Sequence, residues 1–150
     1  MSRIDFYHLK RRSLEETLPL LLQKTYASDR RALVKTTPDT VETLNAWLWT
    51  YNDESFLPHG SQKDGFAAEQ PIFITSGEDN ANSAEFLFLV NGSEYDCEQA
   101  KAFERVFNIF DGNDETALAQ ARGMWKLYKD AGWEVCYWQQ TENGKWEQKA

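Results

Sequence analysis

The chain has 150 residues, a length that defaults to one domain spanning 1–150 and can bury a core without disulfide staples. Hydrophobic residues make up 41% and charged residues 27%, and no apolar run reaches membrane length, which excludes a disordered chain and a helical membrane protein. A net charge of −8 argues against a broad interface with a nucleic-acid backbone, which needs many cations to neutralise phosphates.

The pattern "RIDFYHL" alternates and predicts a first strand over Ile4–Leu9. Ser13 and Glu16 have the spacing of a capping box, followed by Leu14, Leu18, Leu21, Leu22 and Thr25 on one helical face. Pro19 inside that helix should kink it or shorten its first turn. "RALVKT" reads as a short buried strand, Ala32–Thr36. Thr37-Pro38-Asp39 then starts a helix that turns Val41, Leu44 and Leu48 inward and runs to about Tyr51. Residues 52–70 read as loop. "PIFIT" and "EFLFLV" are apolar runs of buried-strand type. Cys97–Ile109 is read as a helix with Ala102, Phe103, Val106, Phe107 and Phe110 along one side, broken at Gly112. A last helix, Glu115–Asp130, carries Ala117, Leu118, Ala121, Met124, Trp125 and Tyr128 on one stripe and ends at Gly132. "WEVCYWQQ", "TENGKW" and "KWEQK" predict a strand, a hairpin turn and a short return strand. This alternation points to an α/β sandwich with a mostly parallel central sheet and an antiparallel C-terminal edge.

The opening "MSRIDFYHLKRR" lacks an apolar leader core, and Cys97 and Cys136 stand without a CxxC partner. Both cysteines are therefore expected to be reduced and packed, as in a cytoplasmic protein. Conventional catalytic sites find little support. Gly60 and Gly65 have GxxxxG spacing, but Phe66-Ala67 follow in place of Lys-Ser/Thr, and the turn after the first strand contains no glycine. A bound nucleotide is therefore not expected. Asp53, Ser55 and His59 lie within one loop and lack a nucleophile elbow, so no catalytic residue is assigned. His59, placed after Pro58, is expected to support that loop. The two histidines are far apart, and the calcium-like run from Asp111 has Thr116 and Arg122 where glycine and glutamate are needed, so no metal or other cofactor is expected.

A binding constellation remains. Arg122 and Lys126 are neighbours on one helical face, with Trp125 between them in sequence. Six Trp, six Tyr and nine Phe exceed what a core of this size needs, so some aromatics should serve a surface. Trp49 and Phe56 would add apolar walls beside the cations. Such a niche suits a peptide C-terminus, with the carboxylate on the arginine and the last side chain in the hollow.

The chain also resembles the chi subunit family of bacterial DNA polymerase III. The resemblance rests on "FYHL", "LWTYNDESFLPHG", "QPIFIT", "FNIFDGND", "ARGMWKLYKDAG" and "YWQQTENGKW", in that order, and spans nearly the whole chain. It implies a three-layer α/β/α fold related to nucleotide-binding domains but without a phosphate loop, and no catalysis by the chain itself. It implies two partners: the acidic C-terminal tail of single-stranded DNA-binding protein, and the psi subunit that connects to the clamp loader. DNA would be reached through these partners. The family's tail-binding positions match Trp49, Phe56, Arg122, Trp125 and Lys126, with Trp125 where the family often has tyrosine. Arg122 is then expected to take the terminal carboxylate, helped by Lys126, while Trp49, Phe56, Met124 or Trp125 line the hollow for the tail's terminal phenylalanine. The alternatives are a direct single-strand binder using surface aromatics as stacking platforms and a small nucleotide-dependent enzyme.

Overall fold

The computed structural model of the protein describes residues 3–10, 13–50, 59–77, 79–141, 143 and 145–149. Its strands are β1 (Arg3–Leu9), β2 (Ala32–Lys35), β3 (Gly60–Ser61), β4 (Ile72–Thr75), β5 (Phe86–Leu89), β6 (Arg105–Asp111), β7 (Glu134–Gln140) and β8 (Trp146–Gln148). Its α-helices are α1 (Leu14–Ala27), α2 (Val41–Thr50), α3 (Cys97–Ala100) and α4 (Glu115–Asp130). The strands form one sheet in the order β3-β4-β2-β5-β6-β1-β7-β8. All neighbouring pairs are parallel except β7–β8, the antiparallel edge.

The interior strands are largely apolar because both faces of a parallel sheet are covered, with Asp5, His8 and Asn108 among the buried polar exceptions. Val34, Ile72, Ile74 and Phe88 pack with Leu18 and Leu22 of α1 and Leu44 and Leu48 of α2. Leu33, Phe73, Leu87 and Leu89 point the other way, into a core shared with Ala100 of α3 and Ala121, Met124 and Tyr128 of α4. The result is a three-layer α/β/α sandwich, with α1 and α2 in one layer and α3 and α4 in the other.

The main departure from the sequence reading lies at residues 97–109. Only Cys97–Ala100 is helical, and Arg105–Asp111 is a strand between β5 and β1 near the middle of the sheet. Val106 and Phe110 face one core, while Phe107 and Ile109 face the other. A strand buried on both faces shows no polar alternation, so its apolar residues fit a helical stripe equally well. Three smaller differences also have local causes. Residues 38–40 form a turn and α2 begins at Val41, because the Thr40 hydroxyl bonds those of Thr36 (2.6 Å) and Thr37 (2.7 Å) and closes that turn. Gly60–Ser61, read as loop, adds a short edge strand to β4. Finally, α1 runs on through the buried Pro19, and its capping box is formed as expected.

Candidate functional site

Open α/β sheets place ligands outside the C-terminal ends of their strands, where neighbouring connections leave in opposite directions. Here α1 leaves β1 over one face and α4 leaves β6 over the other. A cleft of about 720 Å³ opens between them, lined among others by Lys10, Asn91, Asn108, Asp111 and Asn113. Its chemistry is wrong for a phosphate. At the start of α4 the Asp114 carboxylate accepts from the amides of Thr116 (2.9 Å) and Ala117 (3.3 Å). At the start of α1 the Ser13 hydroxyl accepts from the Glu16 amide at 3.2 Å, and Glu16 accepts in return from the Ser13 amide. The amides that would cradle an anion are met by the chain's own side chains, and Glu15, Asp111 and Asp114 add negative charge at the rim.

The cationic residues lie one layer edge away, on the solvent side of α4. Ala121, Met124 and Tyr128 anchor this helix in the core, and Gly132, at φ +88°, takes the left-handed turn that ends it. Arg122 and Lys126 are exposed, and Trp125 is half-buried between α4 and the sheet. The Trp125 ring packs on Phe6 of β1 and edge-on against Tyr137 of β7, both at 5.7 Å between centroids. Lys129 holds its ammonium 5.8 Å from the same ring. Below, Tyr137 hydrogen-bonds its hydroxyl to His8 Nδ1 at 2.5 Å and stands beside Phe110. The charge of Arg122 is felt at both His8 and Tyr137. Burial, then Lys10, push the His8 imidazole below its ordinary pKa; Asp111 opposes this, and Arg122 adds a smaller push in the same downward direction. Burial pushes the Tyr137 phenol up. Together these groups line the seam between α4 and β7 with aromatic rings, and Arg122, Lys126 and Lys129 stand along α4 beside it.

Arg122 differs from the other arginines. Arg3 and Arg105 pair with Asp5, Arg30 with Glu104, and Arg31 donates to the carbonyls of Ala68 and Asn82. Among the described residues, Arg122 alone of the arginines has no hydrogen-bond or ion-pair partner.

The remaining site residues do not join it. Trp49 is on α2, in the opposite helical layer, where its ring lies 4.1 Å from that of His59. His59 is buried and its Nε2 meets the Asn45 carbonyl oxygen at 3.0 Å. Trp49 and Arg122, expected in a single niche, thus belong to helices that pack on opposite faces of the sheet. Met124 lines the cleft from its inner side. It is 6% exposed and turned into the core, where its sulfur accepts from Asn108 Nδ2 at 3.1 Å. Phe56 and Pro58, with Asp53 and Ser55, lie outside the described residues. Conversely, the sequence reading gave Tyr137 and His8 no part in the site. Their pairing arises only when β1 and β7, far apart in sequence, lie side by side, although the alternation of "WEVCYWQQ" already put Tyr137 and Trp138 on opposite faces.

Fold and cleft define the class: a doubly wound α/β domain whose phosphate-binding position is closed by its own side chains. The model of the family described as DNA polymerase III chi subunit, HolC, matches residues 1–136. The chain is also similar to the probable DNA polymerase III subunit chi of Rickettsia prowazekii (strain Madrid E), at 32% identity over 117 residues, covering 74% of this chain and 71% of that protein. The chain belongs to the DNA polymerase III chi subunit family. Among the described residues, no helix is long and apolar enough to cross a membrane.

Proposed function

We propose that this chain acts as one non-catalytic module of the polymerase assembly, which captures the acidic C-terminal tail of single-stranded DNA-binding protein in the groove between α4 and β7. In this reading the psi subunit links it to the clamp loader, so that replication machinery is tethered to coated DNA. Trp49 and its surroundings then form a second surface, separate from the tail groove. The observation that carries the reading is an exposed guanidinium with no partner among the described residues, beside a half-buried indole. A terminal carboxylate completes the arginine, and a terminal aromatic side chain rests against Trp125. Lys126, one turn on, serves the carboxylate or a neighbouring acid.

A charge-assisted hydrogen bond contributes about 1.5–3 kcal/mol, and burial of one phenylalanine adds roughly as much. After ordering costs, such terms suit a micromolar complex, near ~−8 kcal/mol. The test is calorimetric titration of the tail peptide into the parent protein and Arg122→Ala. A loss of roughly tenfold or more is expected; an unchanged affinity would remove this groove from the function.

A second reading is favoured by the opposite face of the sheet. There Tyr7, Trp138 and Trp146 are half-exposed neighbours, with Tyr7–Trp138 stacked at 6.4 Å and Tyr7–Trp146 edge-on at 4.9 Å. Rings on a sheet face can stack nucleobases. The nearby Arg3 and Arg105 share the one carboxylate of Asp5, which leaves a single net positive charge in that cluster for phosphates. Filter binding of bare single strands at moderate salt separates the two readings: retention there, with no affinity for the tail peptide, favours the second.

A further inference from the structure

The His8–Tyr137 pair, which feels the charge of Arg122, has a chemistry that packing alone does not require. His8 is only 8% exposed, and its Nε2 has no hydrogen-bond partner among the described residues. Its ring is seated against Gly112, where a Cβ would come within 1.9 Å of Cδ2 and Nε2, so the imidazole cannot swing toward that turn. Its one polar contact is the Tyr137 hydroxyl. Tyr137 is half-buried against Trp125, within reach of the Arg122 charge. We propose that Tyr137 is a further ligand of the tail's terminal carboxylate, and that His8 is a positioning residue which decides whether the hydroxyl proton points at it. This rests on the groove reading above and deepens it. Tyr137 stands one residue beyond the stretch matched by the family model.

The proton accounting is simple. When His8 is neutral with its proton on Nε2, Nδ1 accepts the Tyr137 O–H. The hydroxyl then shows only lone pairs to the groove, which repel a carboxylate. When His8 is protonated, Nδ1–H donates to the tyrosine oxygen, and the O–H is released to donate outward to the ligand. The incoming negative charge further favours imidazolium. In this proposal the carboxylate favours the imidazolium over the neutral tautomer with its proton on Nδ1, so binding takes up a proton at His8. Among the described residues, the charged and titrating groups that face the imidazole are Lys10 after β1, Asp111 at the end of β6, Arg122 on α4 and Tyr137 on β7. In the free protein, burial and the two cations keep His8 neutral at pH 7. Because its pKa is higher in the complex than in the free protein, affinity rises as pH falls, by less than one decade per pH unit for one proton. The tail's carboxylates titrate near pH 4 and stay ionised across this range.

The experiment uses the full chain and two synthetic tail peptides, one with a free terminal carboxylate and one amidated, titrated from pH 7.5 to 5.5. The parent protein is expected to bind the acid peptide roughly threefold to tenfold tighter at the lower pH. Tyr137→Phe should lose roughly tenfold for the acid peptide at pH 6, less than twofold for the amide, and most of the pH dependence. His8→Gln should bind with an affinity independent of pH, and the His8 proton resonances of the parent should report a higher pKa when the acid peptide is saturating. Arg122→Ala separates the two layers of the argument. If it weakens binding while Tyr137→Phe binds like the parent, or loses equally for both peptides, the groove stands and the role of Tyr137 is overturned. If Arg122→Ala has no effect, the groove reading itself fails and takes this inference with it.

Discussion

Pro19 has no amide hydrogen, so the Glu15 carbonyl one turn earlier loses its intrahelical donor. The Trp47 indole of α2 takes that place, donating Nε1–H to the Glu15 oxygen at 2.9 Å. A rule that should interrupt α1 is thus met by a side chain 32 residues away. Because Trp47 is 37% exposed, water can partly replace the bond; Trp47→Phe is expected to lower stability by only about 0.5–1 kcal/mol in urea unfolding. Asp5 is a sharper case. It is fully buried, which opposes its ionisation, but hydrogen bonds from Arg3, Arg105 and Trp138 outweigh burial and hold its carboxyl below the ordinary value. A folded-state pKa below the unfolded one stabilises the fold above the unfolded value, and that contribution is lost as pH falls through the folded one. Stability should therefore decline below about pH 4, and Asp5→Asn should flatten this part of the profile while lowering stability at pH 7. Chemical denaturation at pH 7 and pH 3 checks both.

At the scale of elements, β6 and α4 show where local pattern suffices and where it fails. The amphipathic stripe of α4, its Asp114 cap and its Gly132 stop specify both ends, and the observed Glu115–Asp130 coincides with the reading. The segment "RVFNIFD" has no comparable signal, because both faces of its middle are buried and, apart from Asn108, apolar. Only the neighbours decide: β5 and β1 offer open hydrogen-bonding edges on either side. Phe107 stacks on Phe88 at 4.6 Å and 7° between planes, while Arg105 lies 4.6 Å over the Phe107 ring. Truncating such a side chain costs both its burial and the cavity left behind. Phe107→Ala is expected to destabilise by about 3–5 kcal/mol, and an effect below 1 kcal/mol in denaturant titration would contradict its central place in the sheet.

For the molecule as a whole, charge is distributed against its average. The net charge of −8 repels an acidic partner, while Arg122, Lys126 and Lys129 concentrate positive charge along one helix. At ~0.15 M salt the screening length is about 8 Å, so the distant acids are largely hidden and the contacts of the groove dominate. Tail affinity should therefore fall as salt rises from 0.1 to 0.5 M, and Arg122→Ala should lose most of that dependence; isothermal titration across the series measures it. The acidic balance does not prevent capture of an acidic tail. On the proposed reading it would restrict capture to this helix.

The sequence by itself determined the layers, the mostly parallel sheet, the antiparallel edge, the limits of α4 and the absence of a glycine-rich phosphate loop. These follow from periodicity, caps and glycine placement, which act over a few neighbouring residues. Tertiary structure alone decided that Arg105–Asp111 is a strand, that Trp49 and Arg122 stand on opposite sides of the sheet, and that His8 meets Tyr137. Each of those depends on which face a crossover takes or which strands become neighbours. Such choices are made by the burial of whole surfaces against one another, and short-range pattern carries no record of them.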